Sequence, residues 1–158
     1  MTDPMDAETA LAAREMISKL VALAREGGDE HKLAMALHAQ GHAFLLEGAL
    51  PEAERAFDES REVSLRLEDK RGAAITLAML GFIPIAKGEL EEGLPNVAKA
   101  VAALEATDPA RGVIAARLAE ASRKLDSKRV DAALKAATRS LGGELQEELA
   151  RALEKVRS

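Results

Sequence analysis

The sequence predicts an all-α fold, a row of antiparallel helical hairpins, on three observations. Of the 158 residues 47% are apolar, yet only Phe44, Phe57 and Phe82 are aromatic. Ala, Leu, Glu and Arg dominate instead, the composition of packed helices with small contact residues. No run of alternating Val, Ile, Thr or Tyr marks a strand anywhere. The phrase "GHAFLLEGALPEAERAF" at 41–57 also returns at 81–97 as "GFIPIAKGELEEGLPNV". Gly41, Gly48 and Leu50 thus recur forty residues on as Gly81, Gly88 and Leu90, and a period of forty built from two helices marks an α-solenoid.

The first helix is expected over 4–26, opened by Asp3 as N-cap with Pro4 at the first helical position, where a missing N–H costs nothing. Gly27-Gly28 stops it and Asp29 opens the second, over 29–47. A turn at Gly48 leads to 51–68, and Asp69 caps 70–87. In that fourth segment Thr76 is the one polar side chain between Ala73 and Ala86, the pattern of a helix covered on every side. Pro84 has no N–H for the Leu80 carbonyl, so a kink or an opened turn is expected there, and Pro95 acts similarly in the next helix, 91–106. Thr107-Asp108-Pro109 repeats the opening phrase and starts 109–125. Ser127 caps 128–140, and the last helix, 143–157, places Leu145, Leu149, Leu153 and Val156 on one stripe. Loops of two to four residues force neighbouring helices to lie antiparallel.

Composition excludes several classes. The length suggests one domain able to bury a core without staples, and with no cysteine there is no disulfide framework, which suits a reducing compartment. The N-terminus is acidic where a signal peptide is basic, and no apolar run approaches the roughly 20 residues that span a bilayer. A cytoplasmic protein without membrane contact is expected. Residues 1–110 carry 11 Lys or Arg against 20 Asp or Glu, whereas 111–158 carry 11 against 7. The basic stretch "RKLDSKR", with Arg123, Lys124, Lys128 and Arg129, reads as a solvated turn: a nucleic-acid surface would pair it with stacking aromatics and a basic total. There is no Gly-rich phosphate loop, the few Ser and Thr sit at caps or outer faces, and the carboxylates of "PEAERAFDESRE" spread round an exposed helix. Neither an enzyme nor a cofactor is expected.

Residues 30–106 resemble two tetratricopeptide repeats of the long-helix kind, with spacing near forty as in kinesin light chains and many bacterial sensor and regulator proteins. The resemblance rests on Leu37, Gly41, Phe44, Gly48, Ala53 and Phe57 in the first copy (30–68). In the second (70–106) it rests on Leu77, Leu80, Gly81, Gly88, Gly93 and Val97. "LEDKRGAAITLAMLG" is similar to the join between long repeats. Glycine at 41 and 81 is expected to let helices approach closely, with Phe57 and Val97 filling the gap between hairpins. A degenerate third copy follows at 109–140, with Ala121, Ala133 and Ala137 at the repeat positions and Lys128 in place of the turn glycine. The segment 4–26 matches the second helix of a repeat, and 143–157 looks like a terminal cap. The resemblance implies a single domain over 1–158, a right-handed α-solenoid of seven or eight helices. It also implies an interaction module, an adaptor or regulator, whose first helices line a concave groove.

Projection at about 100° per residue turns Leu33, Leu37, Gly41 and Phe44 toward the partner helix, and His31, Met35, His38, His42 and Leu45 toward that groove. Ile75, Met79, Phe82 and Ile85 join them from the second copy, and Leu118, Ser122 and Leu125 from the third. An apolar groove needs a cover: the chain's own C-terminal helix, a second copy in a homodimer, or an apolar helix or peptide segment of another protein. The clamp of Lys and Asn that holds a C-terminal carboxylate in chaperone-binding members of the family is not present. His38 and His42 stand one turn apart, a spacing that can hold one zinc or nickel. With no cysteine and no HExxH, they read as polar groove residues whose charge varies near neutral pH, and no metal is expected. A self-associating structural protein using the same groove is the alternative. The remaining readings are a metal-binding protein centred on His38 and His42 and a nucleic-acid binder at 123–129.

Overall fold

A computed structural model describes residues 4–158, with side chains from Ala7 onward. All regular structure among the described residues is helical: α1 (Pro4–Gly27), α2 (Glu30–Leu46), α3 (Leu50–Arg66), α4 (Lys70–Ala86), α5 (Leu90–Ala103), α6 (Pro109–Ser122), α7 (Ser127–Thr138) and α8 (Gly143–Arg157). Asp3, the expected first cap, lies outside the described residues. None of these helices is long and apolar enough to cross a membrane. They gather into two compact units that divide between Asp69 and Lys70, at the expected join between repeats.

In the first unit α2 packs against both α1 and α3. Its core gathers Val21 and Ala24 of α1, Leu33, Ala34, Ala36 and Leu37 of α2, and Val63 of α3. The buried Ser60 hydroxyl donates to the Ala34 carbonyl at 2.8 Å, which removes the cost of an unpaired polar group there. Close approach of α2 and α3 depends on Gly41, where a Cβ would stand 2.6 Å from the ring of the fully buried Phe57.

The second unit repeats the device. A Cβ on Gly81 would lie 2.6 Å from the Gly93 carbonyl and 2.7 Å from Val97, so α4 and α5 touch backbone to backbone. Helix α4 continues through Pro84 to Ala86, with the proline ring beside Gly93. The expected hairpin of the third copy is not what forms: α8, rather than α7, is the main neighbour of α6, and α7 packs on α5 and α8. Arg111 ties this arrangement. Its guanidinium holds Glu148 of α8 at 2.6 and 3.2 Å and donates to the Val101 and Leu104 carbonyls at the end of α5, at 2.9 and 2.8 Å. Helix α5 stops at Ala103 because Leu104 is already extended, and α6 begins where the Asp108 carboxylate accepts from Ala110 N–H at 2.9 Å. For α7 the cap is Asp126, accepting from Arg129 N–H, one residue before the expected Ser127.

The turns explain why α1 and α2, α2 and α3, and α4 and α5 pack as successive neighbours while α6 and α7 do not. Gly28, Gly48, Glu68 and Gly88, twenty residues apart, all have left-handed backbone, with φ of 66, 74, 57 and 84°. After each, the next N–H reaches back into the preceding helix: Asp29 to Ala24, Ala49 to Phe44, Asp69 to Ser64 and Glu89 to Pro84, at 2.9 to 3.1 Å. This is the paired-bond helix stop, and within each unit, at Gly28, Gly48 and Gly88, it turns the chain back onto the helix before. No residue of 123–126 has positive φ, so that turn lacks the reversal.

Candidate functional site

In the second unit most of the expected groove residues are already covered. Met79, Phe82 and Ile85 are buried and Leu118 is 1% exposed. The cover over α4 is α6: the Arg117 guanidinium lies 5.1 Å from the Phe82 ring centroid and 3.4 Å from Met79 Sδ. Burial pushes Arg117 below the usual guanidinium range, and the ring face offsets part of that cost. Ile85 faces the hairpin partner, against Gly93. Leu125 is half-buried and shares a pocket with Leu153 and Val156 of α8. Ile75 alone of this set is half-buried on α4. Of the three covers expected for this helix the chain itself supplies the one seen, through α6 and not through the C-terminal helix, because α8 spends its apolar stripe on α6 and α7, so Met79, Phe82 and Ile85 do not line an open partner groove.

In the first unit His38 and His42 come together. Their Nε2 atoms are 3.1 Å apart, one ring donating and the other accepting. Both rings stand edge-on to Phe57 of α3 with centroids 5.4 Å away. The glycine at 41 lets Phe57 come close enough to α2 to meet both imidazoles. Leu45 is half-buried further along α2, and Arg14 of α1 lies over the Phe44 ring at 5.4 Å. His31 lies at the start of α2, exposed.

Met35 belongs to a different feature. It is 73% exposed and lines a groove of about 710 Å³ between α1 and α2 with Leu20 and Leu23, which are 50% and 63% exposed. Ala24, Ala36 and Ala39 floor it, and Asp29 and Lys32 stand at one end. Sequence reasoning missed the α1 side. The signal was present: Met16, Leu20 and Leu23 fall at i, i+4 and i+7, on a stripe other than the one carrying the buried Val21 and Ala24. Two apolar stripes on one helix exceed what a single neighbour covers.

The basic turn is occupied by internal contacts. Arg129 holds Glu91 through two bonds of 2.7 and 2.6 Å and donates to the Gly88 carbonyl at 2.9 Å, fastening α7 to the start of α5. The Arg129 bonds draw the Glu91 carboxyl from its ordinary 4.5 down to about 2. On α3, burial first and the neighbouring Glu54 and Glu62 second push the Asp58 carboxyl up. Among the described residues no group of three His, Cys, Asp or Glu side chains is placed around a common point. Compared with family models, curated proteins and solved structures, the chain finds no match.

Proposed function

We propose that this protein is an interaction module of the tetratricopeptide kind, an adaptor or regulator that takes the apolar face of a helix from another protein. One observation carries the reading: Leu20, Leu23 and Met35 stand half or more exposed along one groove between α1 and α2. Burying such side chains yields about 25 cal/mol per Å² of apolar surface, a gain that a partner covering all three would collect. Two antiparallel helices leave a trough whose length suits a third, presenting anchors at i, i+3 or i+4 and i+7. Residues 1–69 carry 7 Lys or Arg against 15 Asp or Glu, which favours a helix with cationic flanks. The repeat pattern of Leu37, Gly41 and Phe57 supports the family reading, but α1 replaces α4 as the contributor to the surface.

A photo-crosslinking side chain at position 35, with one at the exposed Val113 of α6 as reference, tests this in cells. Capture at 35 of a helical segment of another protein, abolished by Leu20→Lys with Leu23→Lys, is the expected result. Equal capture at both positions, or capture indifferent to the two lysines, removes the groove from the argument. Crosslinks joining two copies of the chain establish the self-associating alternative.

A further inference from the structure

We propose that His38 and His42 form a chelating site for a late first-row divalent ion of the copper, nickel and zinc class, independent of the α1–α2 groove. The observation is the distance between their Nε2 atoms, 3.1 Å. With metal–nitrogen bonds of about 2.0–2.1 Å, that separation subtends about 95–100° at a single ion. The angle lies between the right angle of tetragonal copper or nickel and the tetrahedral angle of zinc, and imidazole is a ligand suited to all three. The two nitrogens already stand at chelating distance. Phe57 holds both, edge to face, at the same 5.4 Å. Phe57 is itself fixed, fully buried in the notch left by Gly41. Preorganisation of this kind removes the ordering cost that ordinarily weakens a pair of surface histidines.

Both Nε2 lone pairs must face the ion, so the proton now shared between them leaves that position when the ion binds. Both rings are half-buried, which leaves part of the coordination sphere facing solvent. No third His, Cys, Asp or Glu completes a cluster among the described residues, and water fills the remaining positions. The charge of the unit agrees with cation binding: its 15 acidic residues against 7 basic ones raise the local concentration of divalent ions.

The test titrates copper(II), nickel(II) and zinc(II) chloride separately into the purified chain by calorimetry, while NMR follows the ring protons of the three histidines. One ion per chain is expected, copper tightest in keeping with the order of divalent affinities, with the His38 and His42 signals shifting and those of His31 still. His38→Asn and His42→Asn should each weaken binding by at least the 10- to 100-fold, roughly, that loss of a mere outer-shell partner costs; His31→Asn should change nothing. An isotherm that does not saturate overturns the proposal, as does a folded His42→Asn protein with unaltered affinity. Should the variants fold poorly, the unmutated chain still decides: ring signals of His38 and His42 that ignore saturating zinc rule the site out.

Discussion

Gly41 and Gly112 both sit inside helices, and the space beside each gives the same substitution opposite signs. At Gly112, exposed on α6, a Cβ meets nothing within 4 Å. Gly112→Ala should therefore collect the helix-propensity gain, about 0.5–1 kcal/mol of added stability. At Gly41 the same methyl would stand 2.6 Å from a ring with no exposed surface to yield into. Overpacking of about 1–3 kcal/mol outweighs the propensity term, so Gly41→Ala should be destabilising. Urea midpoints of the two variants check the pair. Residue-level roles of this sort were legible in part where repetition exposed them: the close approach at Gly41 and Gly81 follows from the forty-residue period, whereas Phe57 and Val97 fill the notch inside each hairpin and not the expected gap between hairpins. The imidazole pair was legible as a spacing but not as a geometry, because a distance of one helical turn says nothing about which way two rings point. Phe57, arriving from α3, packs against both.

Helix order and most starts were legible from caps and stops, since Asp29, Asp108 and the glycines act through local chemistry, but α5 and α6 end three residues before the expected 106 and 125. The pairing of α6 was not. A short connection between two helices suggests a hairpin only when a left-handed residue reverses the chain, and 123–126 contains none; side-chain bonds made across the second unit, Arg111 to Glu148 above all, decide the partner instead. The Arg129–Glu91 link between α7 and α5 is of the same kind and has a pH signature. Glu91 titrates at about 2 when folded against an ordinary 4.5, with the Arg129 bonds as the leading cause. A depressed carboxylate contributes stability that is complete above its unfolded value and disappears as pH falls toward the folded one. Asp108, lowered first by its bond to Arg71 and then by its cap bond to Ala110, acts in the same direction. Stability should fall as pH drops from 4.5 toward about 2, and Arg129→Gln should make that fall shallower. Thermal melts of both proteins across the window measure it; parallel curves would mean that the link carries no weight in solution.

At the scale of the chain, class and period were plain in the sequence, whereas the exposed apolar surface was not. A helix apolar all round, such as α4, has a sequence signature, but the signature does not say whether the cover comes from within, and Arg117 supplied the answer with a residue that hydropathy counts as polar. The surface that does stay open drew Leu20 and Leu23 from a helix whose match to the repeat pattern was faint. The left-handed turns at 28, 48, 68 and 88 carry a different message. Each ends its helix through backbone bonds, and at Gly28, Gly48 and Gly88 no neighbour stands within 4 Å of where a side chain would begin. Those sites are indifferent to side-chain identity and sensitive to chirality. Glu68 already bears the penalty of the wrong hand, so Glu68→Gly should add about 0.5–1 kcal/mol to stability. In a semisynthetic chain, D-alanine at the exposed position 48 should stabilise by a similar amount while L-alanine there destabilises. A mirror-image residue, normally fatal to a helix, would here be the best fit the reversal can be given.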